Sequence, residues 1–113
     1  MKFVLFLAEE DHFARWDVAD EAQRQRVVAD FEAFDAAVAE RGAVVGGEAL
    51  AQPSEARTLR GGALLRGLYA EIVEEIGGFY VIDVESIEVA VELAALLPRE
   101  YTVEARPVSE VAI

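Results

Sequence analysis

The chain has no cysteine, one histidine, one tryptophan and three prolines in 113 residues. Without cysteine there is no disulfide framework, no thiolate zinc site and no thiol nucleophile. The absence fits a reducing compartment, and a cytoplasmic location is the expectation. With a single histidine no strong metal motif can be assembled, so no metal and no cofactor are expected. Basic residues are also scarce, 10 against 22 acidic ones, for a formal net charge of −12. Such a chain repels phosphate backbones and anionic bilayers, which argues against nucleic acid and membrane surfaces as partners. No run approaches the roughly 18 apolar residues of a membrane span. The apolar start, "FVLFLA" at residues 3–8, is too short for a signal h-region and meets the charged "EEDH" at once.

Apolar residues, by contrast, are abundant at 54%, enough for one domain over residues 1–113 and more than a small monomer easily hides. The excess points to self-association. "KFVLFLA" reads as a strand covered on both faces. "EEDHFARWDVA" reads as an irregular loop that packs down in part. "DEAQRQRVVADFEAFDAAVAERG" is a helix: Asp20 and Gln23 resemble a capping box, and Val27, Phe31, Phe34 and Val38 fall on one face. Gly42 suits the left-handed position that closes such a helix. "AVVGGEAL" is a strand weakened or bulged at Gly46 and Gly47. "TLRGGALLRG" is a hairpin turning at Gly61 and Gly62. "LYAEIVEEIGG" fits a short helix or an irregular crossing ended by its glycines.

In "GGFYVIDVESIEVAVELAALLP", the two glycines allow a turn or a close backbone approach, and "FYVIDV" is a strand. Ser86 is placed to cap a helix, and Asp83 to cap it or face its dipole. The helix carries two apolar stripes, one through Ile87, Ala90, Val91, Ala94 and Leu97, the other through Val89, Leu93 and Leu96. Pro98 ends it. In "YTVEARPV", Tyr101, Val103 and Ala105 alternate with wetter residues, as in a strand with one exposed face. The chain therefore repeats strand–helix–strand around a central hairpin. Two interleaved units give an α+β, ferredoxin-like split βαβ fold, an antiparallel sheet with helices on one face only. The bare face is expected to meet a second copy, making a homodimer.

In order and spacing, "KFVLFL", the acid-capped helix, "GGEAL" at residues 46–50, "GGFYVIDV" at 77–84 and "ARPV" at 105–108 resemble the YCII-related superfamily, in the branch named after its DGPF motif. The resemblance runs from Met1 to about Val108 and implies a dimeric α+β barrel. At the positions of Asp-Gly-Pro-Phe this chain has Arg66, Gly67, Leu68 and Tyr69, and Glu71, Ile72, Val73 and Glu74 stand where a Glu-Thr-Lys-Glu-like stretch follows. The motif's aspartate, proline, threonine and lysine are absent. By resemblance, some relatives look like lyases or isomerases of small ring compounds, and others like companions of transcription factors.

Two side chains are the candidates for catalysis. His12 can act as a general base near neutral pH, or be a partly exposed histidine among Glu9, Glu10 and Asp11. Glu48 lies in a strand of small and apolar residues. Pointing inward it needs a partner, for which Arg106 is available; pointing outward it is a solvated acid. Glu71 and Glu74 share a face if their segment is helical, as an acid–base pair or a solvated turn. Trp16 and Tyr80 are amphipathic aromatics, able to line a small-molecule pocket or to pack in the core. Two functions follow: a small cofactor-free enzyme doing carboxylate or histidine acid–base chemistry on an organic acid or ring compound, or a non-catalytic module binding a small molecule or a protein.

Overall fold

The computed structural model describes residues 1–67 and 74–111, with Glu74 described by its backbone alone. The elements are β1 (Lys2–Glu10), α1 (His12–Val18), α2 (Glu21–Arg41), β2 (Gly42–Ala49), a 3-10 turn (Pro53–Glu55), β3 (Arg57–Arg60), β4 (Ala63–Arg66), β5 (Glu74–Val84), α3 (Ile87–Ala94) and β6 (Thr102–Pro107). Four strands form one antiparallel sheet in the order β2-β5-β1-β6, and β3 and β4 pair apart from it. The long helix α2 connects β1 to β2, which run parallel with β5 between them. Helix α3 connects β5 to β6 in the same way across β1. This is the ferredoxin-like split βαβ arrangement with an inserted hairpin.

Alternation along β1 sets the two faces. Phe3, Leu5, Leu7 and Glu9 are buried, while Val4, Phe6 and Ala8 are only half-buried. Phe3 pairs with Ile82 and Leu5 with Tyr80 and Ala105, so these side chains share the inner face. There they pack against Phe34 and Val38 of α2 and Val89, Ala90 and Leu93 of α3. Val4 opposes Val81 and Phe6 opposes Phe79 on the outer face, where none of the described helices packs into the core.

Both long connections start as their caps require. Asp20 accepts a hydrogen bond from the Gln23 amide at 2.8 Å, and Ser86 accepts one from the Val89 amide at 3.2 Å. Val27, Phe34 and Val38 are buried with Phe31 packed beside them, as their spacing requires. Both stripes that follow Ser86 are split: Ala90 and Leu97 of the first and Val89 and Leu93 of the second go in, whereas Val91 of the first and Leu96 of the second are exposed. A helix over one sheet face has a single side to bury, so part of an apolar surface this broad must face outward.

Other expectations are corrected by tertiary contacts. Residues 12–18, read as a loop, form α1. Asp11 takes the left-handed conformation at φ 52°, which aspartate tolerates, and its carbonyl accepts from the Arg15 amide to start the helix. Gly42 is not left-handed but extended, at φ 169°, and opens β2 directly. A Cβ on Gly42 would lie 1.9 Å from the Asp83 carbonyl oxygen, so close strand approach, not helix closure, requires glycine. Gly77 and Gly78 lie inside β5, not at a turn, because the strand begins at Glu74. Asp83 caps no helix; it receives a hydrogen bond from the Met1 amino group at 3.0 Å. The β2 bulge falls between Val44 and Gly46. The hairpin turns where expected, with Gly61 and Gly62 both at positive φ.

Candidate functional site

Where α1 folds back over the end of the inner sheet face, a cavity of about 530 Å³ remains. His12, Phe13 and Trp16 of α1 form one wall and Val27, Val28 and Phe31 of α2 another. Leu7, Tyr80 and Tyr101 form the floor, and residues 47–50 and 77–79 the rim. Volume and lining suit a small organic ligand.

His12 and Glu9 meet here because of the chain's local geometry. Odd residues of β1 face inward, so Glu9 continues the row of Phe3, Leu5 and Leu7 and is buried. The left-handed Asp11 then returns the chain so that His12 Nδ1 lies 3.2 Å from Glu9 Oε2. Their side chains are 14% and 8% exposed, which removes the pair from competing water. The imidazole lies edge-on to Phe13 at 4.8 Å and tilted against Tyr101 at 5.5 Å. Its third neighbour is Gly77. This residue is the extra one in a β5 bulge, between Gly78 opposite Leu7 and Ile76 opposite Ala8. A Cβ on Gly77 would stand 2.6 Å from both Cδ2 and Nε2 of His12, so the ring occupies the space a side chain would need. With Nδ1 engaged by the carboxylate, Nε2 is the nitrogen left for proton transfer.

The two tyrosines are fixed as neutral phenols. Burial, helped by the Asp35 carboxylate, pushes Tyr80 up to about 12. Burial, then Glu9, Glu100 and Tyr80, pushes Tyr101 up to about 12 as well. Tyr80 packs on Phe34 at 4.8 Å, and Phe31 lies between Tyr80 and Tyr101 at 6.3 and 6.0 Å. Beneath Tyr101, burial alone would raise the Glu100 carboxyl; its own backbone amide, Arg26 and Gln23 together hold it below the usual carboxylate range.

Of the residues singled out in the sequence, His12, Trp16, Tyr80 and Glu48 all border this cavity. His12 is no exposed loop histidine. Trp16 is 38% exposed, with the Arg24 guanidinium 5.2 Å from its ring centre. Glu48 opposes Phe79 on edge strand β2, so it shares the outer face with Phe79 and is exposed. Its suggested partner, Arg106, is on the opposite edge strand, about 14 Å away across three strand spacings. Arg106 instead pairs with Glu104 at 2.6 Å, lies over the Phe6 ring at 5.7 Å, and is absent from the cavity wall. Glu71 lies outside the described residues. The backbone of Glu74 is in β5 opposite Glu10, not in a helix with Glu71. Among the described residues no group of three or more acids and histidines is arranged to hold a metal ion.

Glu9, Tyr101, Phe31 and Gly77 complete the site without having been singled out for it. Strand alternation puts Glu9 on the same face as Phe3, Leu5 and Leu7, but "KFVLFLA" is apolar on both faces, and the helices decide which one is buried. The contact of Glu9 with His12 requires the turn at Asp11, which periodicity does not encode.

No helix among the described residues is long and apolar enough to cross a membrane. Among curated proteins none matches the chain. The YCII-related domain matches residues 1–112, almost the full length. The chain belongs to the YCII-related domain family.

Proposed function

We propose that the cavity takes a small, uncharged or cationic ring compound and that His12, oriented by Glu9, moves a proton on it without a cofactor. The buried Glu9–His12 pair on the cavity wall carries this reading. A carboxylate on Nδ1 fixes the imidazole's tautomer and orientation and leaves Nε2 as the base. In an isomerisation, Nε2 takes a proton from one carbon of the ring compound and returns it to another. Tyr80 and Tyr101 remain protonated through neutral pH and serve as hydrogen-bond donors to a developing oxyanion.

The lining sets the substrate's charge. Among the described residues the wall contains Phe13, Trp16, Phe31, Tyr80 and Tyr101, with Phe79 and Glu48 at the rim and Glu9 behind His12, and no lysine or arginine. Residues 68–73 contain no basic residue either. Aromatic faces and carboxylates favour neutral or cationic ligands, whereas an organic acid would meet no counter-charge. Glu48, on the rim, contributes field without reaching His12. The reading includes a homodimer through the outer sheet face, supported by the row of Val4, Phe6, Phe79 and Val81 that no described helix covers.

Neutral phenols, lactones and aromatic amines, screened by thermal shift and then by hydrogen–deuterium exchange of the bound compound, test it. A ligand that raises the melting temperature and exchanges at least about 100-fold more slowly with His12→Asn is the expected result. Equal exchange by wild type and His12→Asn removes the histidine from the chemistry. Binding without any exchange leaves a non-catalytic binding module.

A further inference from the structure

Among the described residues, the β3–β4 hairpin belongs neither to the main sheet nor to the core. Its two strands pair with each other. The radius of gyration is 15.5 Å, against about 13 Å for a compact chain of this length. The ribbon is nevertheless well built. Gly61 and Gly62 supply the two left-handed residues of a tight hairpin turn, the Gly67 amide donates to the Ala56 carbonyl at 2.8 Å, and the Thr58 hydroxyl donates to the Gly67 carbonyl at 2.7 Å.

An isolated two-stranded ribbon is at best marginally stable in water. This one exposes Leu59 by 72% and Leu64 by 68%, with Leu65 beside them. Its charge differs from the rest of the chain. Residues 57–66 contain three of the ten basic residues, Arg57, Arg60 and Arg66, and none of the 22 acidic ones. A ribbon of leucine and arginine needs an apolar surface with carboxylates at its margin. The chain itself supplies one on the outer sheet face, where Val4, Phe6, Phe79 and Val81 lie between Glu48, on one edge strand, and the Glu104–Arg106 pair on the other.

We infer that the β3–β4 hairpin is an arm that docks on a second copy of this chain, its leucines against the outer sheet face and Arg57 and Arg66 toward the Glu48 carboxylate at that face's edge. The inference rests on the homodimer reading above and adds the element that clasps it. Opposite charges across the contact direct the arm to a twin, since the rest of the chain carries all 22 acidic residues against seven of the ten basic ones.

Light scattering and sedimentation equilibrium at micromolar concentration test it on the full chain. The wild type is expected to be a dimer whose dissociation constant rises with salt. Leu59→Glu with Leu64→Glu is expected to raise that constant at least tenfold, with circular dichroism unchanged. Arg57→Glu with Arg66→Glu, which alters only exposed charge, is expected to do the same and guards against a folding artefact in the leucine variant. If both arm variants dimerise as tightly as wild type while Phe6→Glu is monomeric, the arm is overturned and the sheet-face dimer stands. A monomeric wild type overturns both. Wild type retained on heparin through the arginines, with dimerisation indifferent to them, assigns the arm to a polyanion and also overturns the inference.

Discussion

The imidazole of His12 fills the place where residue 77 would carry a side chain: a Cβ there would stand 2.6 Å from Nε2. Gly77→Ala must therefore push the ring from Gly77 and disturb its bond to Glu9. Overpacking of this kind costs about 1–3 kcal/mol. The expected outcome is a modest fall in melting temperature together with loss of ligand-induced stabilisation. Full retention of ligand binding by Gly77→Ala would show that the ring's seat does not matter.

Glu9→Gln keeps the size of the side chain and removes its charge. The hydrogen bond to Nδ1 survives in altered form, but the amide no longer favours a proton on that nitrogen. Nitrogen-15 spectra of His12 should show the wild type mainly protonated at Nδ1 at pH above neutral, and a mixture of tautomers in the variant. Identical spectra would detach Glu9 from any role in orienting His12.

The Arg26–Glu100 contact ties α2 to the turn before β6, and Arg26 also holds Asp30 at 2.8 Å. The Glu100 side chain is 18% exposed, and its Oε1 has no hydrogen-bond partner among the described residues, so it depends on this arginine. Arg26→Ala is expected to destabilise by about 2–3 kcal/mol, measured by urea unfolding at neutral pH. Because Glu100 is held below the usual carboxylate range, its contribution is complete above the unfolded-state value and fades as pH falls through the folded-state one. The gap between wild type and variant should thus narrow on acidification. A constant gap would refute the ion-pair account.

The tyrosines act at the other end of the scale. Both titrate near 12 when folded, against an ordinary value of 10.0. Groups raised in this way stabilise the fold fully below pH 10, and that stability is lost as pH rises toward 12. Unfolding in alkali, followed by tyrosinate absorbance and circular dichroism, should show phenol ionisation and loss of structure together. Tyr101→Phe should shift the transition to higher pH. Ionisation at 10 in the folded chain would contradict burial of the rings.

Gly42→Ala tests the strand contact beside α2. A Cβ at this position meets the Asp83 carbonyl oxygen at 1.9 Å and a Val84 methyl at 3.0 Å. Both belong to β5, so edge strand β2 must peel away at its start. A loss of about 3 kcal/mol is expected in urea unfolding, with amide exchange accelerating first in residues 42–49. A neutral substitution would mean that the glycine serves no close approach.

Local chemistry made much of the fold legible. The caps at Asp20 and Ser86, the helical spacing of Val27, Phe34 and Val38, the Gly61–Gly62 turn and the alternation along β6 act between residues close in sequence, and each appears as expected. The errors arise where a residue's role depends on a distant partner. Gly42 resembles a helix terminator until β5 lies beside it. Of the two roles open to Gly77 and Gly78, the turn is excluded because β5 runs through them, and the close backbone approach is met at Gly78, where a Cβ would stand 3.0 Å from the Glu48 carbonyl oxygen. Arg106 is a plausible partner for Glu48 only while strand order is unknown, because two edge strands look no different in a sequence from two neighbours.

The candidate site divides in the same way. The sequence by itself determined the sorting of side chains to the two sheet faces, the helices that roof one of them, the acidic surface and the aromatic, histidine-poor chemistry available to a pocket, because periodicity and composition fix which side chains seek water. Only the tertiary structure decided that Glu9 meets His12, that Gly77 leaves room for the imidazole, that Tyr101 closes the floor and that the hairpin pairs apart from the main sheet. Those relationships depend on strand register and on one left-handed aspartate. A shift of one residue in the register of β1 would turn Glu9 to the other face together with Phe3, Leu5 and Leu7.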